Sequence, residues 1–148
     1  MKIAVGSDHR GLVLKAEVIK ILNEAGHACH DFGTYSETSV DYPDIAVQAA
    51  EAVAHGEYER GILICGTGIG MCIAANKVRG IRAAQVYNTF TAHRCRQHND
   101  ANVMCIAAEE EHPKLKPMVI DFLETPFEGG RHINRINKIT AIEDKQCK

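Results

Sequence analysis

The chain has 148 residues, a formal charge of −2 and 45% hydrophobic residues, enough to bury one sizeable core and too few cations to form a nucleic-acid surface. No apolar run approaches the roughly 20 residues that span a bilayer, and MKIAVGSDH has no secretory apolar region before its first charged pair. A cytoplasmic protein with neither a membrane nor a nucleic-acid partner is expected.

The first strand is predicted over 2–7, followed through SDHRG by a helix over 11–25, where Leu12, Leu14, Val18, Ile19, Ile21 and Leu22 recur at mostly helical spacing before Gly26. A second strand is expected over 27–32, a loop over 33–42, and a helix over 43–55 with proline in its first turn. The run 61–65 is continuously apolar, as a parallel strand covered on both faces should be, and 71–77 reads as helix. Strands over 81–86 and 103–107 flank a polar, histidine-bearing helix over 89–98. Helices over 114–123 and 131–142 complete the chain, the last with Ile133, Ile136, Ile139 and Ile142 in one stripe that either closes its own domain or docks on a partner subunit. Strands alternating with helices predict an α/β fold with a parallel sheet, and no linker or repeat divides the single domain spanning 1–148.

The six cysteines, Cys29, Cys65, Cys72, Cys95, Cys105 and Cys147, lack paired CxxC spacing and read as free thiols in a reducing compartment. His27, Cys29 and His30 are the closest candidate metal cluster, but strand alternation turns Cys29 away from His30, and no metal is expected. Chemistry concentrates instead in GILICGTGIG, where a strand runs into Cys65 and then into Gly66, Gly68 and Gly70. Successive N–H groups in such a turn can face an oxyanion, and the following helix N-terminus favours a thiolate at Cys65. A small buried hydrophobe is the plainer reading of that cysteine, and the glycines that expose it favour the chemical one.

Asp8 and His9 follow the first strand and could orient a sugar hydroxyl and hold an anion; Asp8 would equally suit a helix N-cap. His98, Asn99 and Asp100 precede the fifth strand, so they reach the rim bearing Cys65 only if their connection folds over or a second subunit supplies them. Arg131 and Arg135 lie four apart on one helical face, either a pair of guanidinium forks for phosphate or a solvated basic face. Other chemistries fail on spacing. Met71 stands where a C-x5-R thiol phosphatase needs arginine, the glycines follow the third strand rather than the first as a dinucleotide site requires, and Lys77 comes too late for a triphosphate loop.

Taken together, GSDHRG, DYPD at 41–44, ICGTGIG, AANK, GIRAA, RQHNDANV and EGGRH resemble the ribose-5-phosphate isomerase B family, which includes the galactose-6-phosphate isomerase subunits, over residues 1–142. The resemblance implies a Rossmann-like three-layer α/β/α sandwich with a five-stranded parallel sheet and an extra C-terminal helix. It implies a homodimer, in some members a tetramer, with active sites at the subunit boundary and neither a metal nor a nucleotide cofactor. Cys65 is similar to the base that moves a proton between sugar C1 and C2 through a cis-enediolate, and Gly66, Thr67, Gly68, Ile69 and Gly70 to its anion-stabilising turn. By the same resemblance His98 is the ring-opening acid, Asp8 and His9 are substrate and phosphate contacts, Asn99 is a contact from the partner, and Arg131 with Arg135 is a phosphate clamp. Some members carry a catalytic glutamate where this chain has Met71, which leaves Cys65 as the base.

The activity this implies is aldose–ketose isomerisation of a small sugar phosphate, most simply ribose 5-phosphate to ribulose 5-phosphate. Four- or six-carbon sugar phosphates remain as alternatives. A non-catalytic sugar-phosphate-binding subunit is a third, against which the intact Cys65 and His98 argue. One position departs from the pattern. Where many members have an arginine two residues past the fifth strand that reaches the phosphate, this chain has Glu109, followed by Glu110 and Glu111. Either Glu109 turns away and Lys114 or Lys116 serves, or the substrate's phosphate lies elsewhere, and the run of carboxylates favours the second.

Overall fold

The computed structural model describes residues 1–146, so Cys147 lies outside the described residues. Its sheet consists of β1 (Lys2–Ser7), β2 (Ala28–Asp31), β3 (Arg60–Cys65), β4 (Ala83–Gln85) and β5 (Val103–Ala107), all parallel, in the order β2-β1-β3-β5-β4. The helices are α1 (Leu12–Glu24), α2 (Tyr42–Ala54), α3 (Ile69–Ala75), α4 (Thr89–Asn99), α5 (Leu115–Glu124) and α6 (Arg131–Gln146).

The alternation of side chains along β3 sorts the core into two halves. Ile62 and Ile64 pack with Val18 and Leu22 of α1, Ala92 of α4, and Val119 and Phe122 of α5. Leu63 and Cys65 face the other way, into Ala46, Ala49, Ala50 and Val53 of α2 and Met71 and Ala75 of α3. Because both faces are covered, the central strands are apolar throughout and every polar group available for chemistry is left at a strand end. This is the expected α/β/α sandwich.

Several boundaries depart from the sequence reading. α3 begins at Ile69 rather than 71, because Gly68 takes the left-handed conformation, φ 74°, and caps it. It ends at Ala75 because the Asn76 side chain turns outward to act as a strand partner, its Oδ1 accepting from Ala83 N at 2.9 Å and its Nδ2 donating to Ala83 O at 2.9 Å. That amide ties the end of α3 to β4, which keeps only 83–85 in the ladder.

α6 stands apart from the core. His132 is its one buried residue, while Ile133, Ile139 and Ile142 are 49%, 42% and 56% exposed. Its far end is tied down by an Arg79–Asp144 ion pair and by Gly80 N donating to Glu143.

Lys15 is a buried cation that fixes the connection leading toward the site. Its Nζ lies 2.8 Å from Asp31 Oδ1 and also donates to the Thr34 carbonyl, while the same carboxylate oxygen accepts from Gly33 N at 2.8 Å. Replacing Lys15 by Met strands Asp31 beside apolar surroundings. The expected loss is about 2–3 kcal/mol, at the low end for a broken buried pair because Asp31 keeps some access to water. Urea unfolding should show it, and Asp31→Asn in the same chain should restore most of it. An unchanged midpoint in Lys15→Met would show that the pair contributes nothing net.

Candidate active site

β3 delivers Cys65 to the C-terminal rim of the sheet with the thiol 4% exposed. The chain then turns through Gly66, Thr67 and Gly68, and each glycine is needed for a different reason. A Cβ on Gly68 would stand 2.6 Å from Gln85 Nε2 and 2.9 Å from the Ile106 carbonyl carbon, one on Gly70 would enter the Tyr42 ring, and one on Gly66 would lie 2.8 Å from Glu109 Oε1. Thr67 O accepts from Gln85 Nε2 at 2.7 Å, and the Cys65 and Gly66 carbonyls accept from Ala108 N and Glu109 N, each at 2.9 Å. The turn is therefore held from both sides by its carbonyls. Among the described residues the N–H groups of Gly66, Thr67 and Gly68 donate to no protein acceptor, which leaves successive donors free beside the thiol for an anionic oxygen.

The end of β1 lies next to this turn, with Asp8 N donating to Ile64 O at 3.1 Å. Asp8 is buried and its Oδ1 accepts from Arg10 N at 3.0 Å, capping the single 3-10 turn His9–Gly11. The N-cap role is thus real, and the second carboxylate oxygen remains for a ligand. Val40 N donates to His9 Nδ1 at 3.3 Å, which puts the proton of a neutral His9 ring on Nε2. Arg10, which the sequence reading passed over, forms an ion pair with Glu109 across the turn. Glu109 has not turned away, and Lys116 is engaged with Glu24 at 3.2 Å.

The second set of expected residues lies elsewhere. α4 runs back from the end of β4 to the start of β5, so His98 and Asn99 finish at the N-terminal rim. Asp100 caps the helix in the left-handed region, φ 46°, and its carboxylate is bound by Arg82 at 2.9 Å and Arg96 at 2.8 Å. His98 stacks on His132 of α6, with ring centroids 4.3 Å apart and planes 15° from parallel. Arg94 Nη1 is 3.0 Å from His98 Nε2, Glu128 Oε2 is 3.7 Å from His98 Nε2 and 4.0 Å from His132 Nε2, and Arg135 Nη1 is 3.4 Å from His132 Nδ1. Burial, and then the neighbouring His98 and Arg131, push the His132 pKa below its ordinary value. Glu128, His98 and His132 could converge on a metal ion, their ligand atoms lying within 4.8 Å of one another. The guanidinium groups of Arg94, Arg131 and Arg135 around them suit an anion better.

One chain therefore brings together Cys65, the glycine turn, Asp8 and His9, and separately brings together His98, Asn99, Arg131 and Arg135. It does not join the two sets. Cys65 pairs with Ala107 at one end of β5, His98 precedes the other end, and five residues of strand rise about 13 Å. Glu128, His132 and Tyr42 lie inside motifs legible in the sequence, yet their packing roles depend on contacts between separate elements. Arg10 and Glu109 are 99 positions apart, and no local pattern could pair them.

Comparison with known proteins gives a consistent result. The family model described as ribose/galactose isomerase matches residues 3–139. The chain is 47% identical to ribose-5-phosphate isomerase B of Escherichia coli strain K12, covering 98% of each chain. It is 40% identical to a D-erythrulose-4-phosphate isomerase of Pectobacterium atrosepticum, covering 99% of this chain and 97% of that one. The solved structure of Clostridium thermocellum ribose-5-phosphate isomerase B superposes with a TM-score of 0.95 at 48% identity, covering 99% of both chains.

The lowered His132 pKa has a signed consequence. Between that value and the unfolded value of about 6.5 the unfolded chain binds more protons, so this contribution is complete above about pH 6.5 and declines as pH falls through the window. Chemical-denaturation midpoints measured from pH 7.5 down to 5 should fall less steeply in His132→Asn than in the wild type. Parallel slopes would place the titration elsewhere.

Proposed function

The chain belongs to the ribose/galactose isomerase family, and we propose that it interconverts ribose 5-phosphate and ribulose 5-phosphate at sites built from two copies of itself. Its activity is that of an aldose–ketose isomerase of sugar phosphates. The observation that carries the residue assignment is the row of free N–H groups beside a nearly buried thiol at the end of β3.

In this reading the partner's His98 donates a proton to the furanose ring oxygen as the C1 hydroxyl loses its proton to solvent, which opens the sugar to the aldehyde. The Cys65 thiolate takes the proton from C2, the resulting enediolate oxygens are held by the Gly66, Thr67 and Gly68 amides while the C2 hydroxyl proton passes to O1, and the thiol returns its proton to C1, leaving a C2 ketone and a C1 hydroxyl. Asp8 orients a sugar hydroxyl and His9 contacts the substrate through Nε2–H. Ile69 and Gly70 hold the turn in shape, and the partner's Asn99, Arg131 and Arg135 bind the hydroxyls and phosphate.

Two features support assembly with a second copy. Each chain holds its base and its phosphate arginines on opposite rims, so neither set works alone. The chain also exposes apolar surface in the stripe on α6 and in a groove of about 1010 Å³ between α2 and α3, lined by Tyr42, Val47, Ile73 and Val78. A homodimer with both surfaces covered accounts for them.

A second reading keeps the mechanism and changes the sugar. The D-erythrulose-4-phosphate isomerase relative and the carboxylate at 109 favour a four-carbon substrate. Measuring kcat/KM over a panel of four-, five- and six-carbon sugar phosphates decides between them, and a preference for ribose 5-phosphate retires the second.

Cys65→Ala should abolish proton exchange at C2 while retaining substrate binding, and near-normal turnover would end the role given to Cys65. Assembly is tested by mixing Cys65→Ala with Arg131→Ala chains. Each heterodimer then carries one intact site, so free exchange should restore about a quarter of wild-type activity. No recovery on verified subunit exchange would place both residues in one chain's site. His98→Asn should slow turnover of the cyclic sugar phosphate more than that of an open-chain analogue, and equal losses would move His98 out of ring opening.

A further inference from the structure

The Arg10–Glu109 pair lies in an unexpected place for a surface ion pair. A Cβ on Gly66 would stand 3.2 Å from Arg10 Cδ and 2.8 Å from Glu109 Oε1, so both side chains lie against the first residue of the turn that follows Cys65. The two side chains are 60% and 50% exposed, and an exposed pair adds about 0–1 kcal/mol to stability. That is little return for crowding the one turn whose amides must stay open. The Arg10 backbone is fixed as well, because its N–H is bound by Asp8 Oδ1. Glu109 is fixed by its own N–H to Gly66 O at 2.9 Å.

The pair leaves donors in hand. Nη1 of Arg10 meets Glu109, and among the described residues the remaining guanidinium N–H groups have no protein acceptor. Lys15, the other cation close to this end of β1, is buried and committed to Asp31 and Thr34. An anionic substrate approaching Cys65 therefore meets Arg10, whose guanidinium still has N–H groups to offer beyond the Glu109 contact. With Glu109, Glu110 and Glu111 beside it, an unrestrained arginine would have several carboxylates to choose among. The Glu109 contact selects one position, across Gly66.

We infer that Arg10 is a substrate contact of the isomerase site, giving its free guanidinium N–H groups to a phosphate oxygen of the sugar phosphate, and that Glu109 is a positioning residue that holds it there. The inference rests on the isomerase reading above. It gives the carboxylate at 109 a purpose compatible with ribose 5-phosphate, since the cation that the fifth-strand loop lacks arrives from the end of β1.

Phosphate contacts act equally in ground and transition states, so the effect belongs in KM. Arg10→Ala should raise KM for ribose 5-phosphate about ten- to hundredfold while kcat changes less than about threefold. Glu109→Gln should raise KM by a smaller factor, about three- to tenfold, and the double variant should be no worse than Arg10→Ala alone, because Glu109 acts through Arg10. The exchange Arg10→Glu with Glu109→Arg should recover part of the affinity that Arg10→Glu loses.

Both residues are exposed, so the variants should fold, and circular dichroism checks this. An unchanged KM in Arg10→Ala, a loss carried by kcat instead, or independent losses that multiply in the double variant would each overturn the inference. Calorimetric titration with ribose 5-phosphate reads the contact without turnover. Binding that depends on Arg10 in a wild type that turns over no sugar phosphate would sink the isomerase reading and leave only the Arg10 phosphate contact standing, whereas normal turnover with Arg10-independent binding would sink this inference alone.

Discussion

A parallel strand covered on both faces has only its two ends for chemistry, and those ends face opposite rims. Everything about the site follows from that constraint. β3 and β5 are sealed by α1, α4 and α5 on one side and by α2 and α3 on the other, so the Cys65 thiol reaches chemistry only at the rim where β3 ends. A helix that returns from one parallel strand to the next must end at the other rim, and α4 therefore carries His98 and Asn99 away from Cys65. α6 packs against that end of α4 through the His98–His132 stack, which takes Arg131 and Arg135 with it. The chain cannot close its own site without breaking the crossover that makes the sheet parallel. In the proposed dimer a second copy supplies the missing half at no cost to the fold.

The turn after Cys65 shows how tightly that rim is built. Gly66, Gly68 and Gly70 are small because an Arg10–Glu109 pair, the backbone of β5 and the Tyr42 ring each occupy the space a side chain would need. Loop flexibility is not what these glycines provide. With the turn's carbonyls bound by Ala108, Glu109 and Gln85, its N–H groups stay oriented before any ligand arrives, which is what an oxyanion site needs to avoid reorganisation during reaction.

Much of this was legible in the sequence, for physical reasons. The strand over 103–107 and the end of β3 at Cys65 could be read because continuous apolar runs bounded by polar residues have few alternatives in a covered parallel sheet. The start of α3 was misread because a left-handed glycine cap leaves no mark that separates it from the glycines around it, and β4 was read too long because apolar edge residues need not enter the ladder. Asp8 could be named but its two roles could not be separated, since capping and ligand contact use the same carboxylate. The Arg10–Glu109 pair and the His98–His132 stack were invisible, because each joins elements whose closeness is set by the sheet order and not by local pattern. For His98 the sequence posed an alternative, a folded-over connection or another subunit; the direction of α4 argues against the first, and the second is what the proposed dimer supplies.

Charge gives the same division a thermodynamic meaning. The chain is nearly neutral overall, yet its charges are unevenly placed: Asp8 and Glu109 to Glu111 lie on the rim with Cys65 beside Arg10, and Arg94, Arg131 and Arg135 gather around the His98–His132 stack on the other, with Glu128 among them. A sugar phosphate meets carboxylates and a single restrained arginine at the first rim, and a group of cations with no thiol at the second. In the proposed dimer these rims would face one another, so opposite charges would guide the register of the subunits and the phosphate would be neutralised between them. A ligand held by both copies stabilises the assembly by RT ln(1 + [L]/Kd) relative to the separated chains. In the proposed dimer, substrate binding and subunit association are then a single linked equilibrium, because the rim with Cys65 offers the phosphate Arg10 alone among the arginines while Arg131 and Arg135 lie on the other.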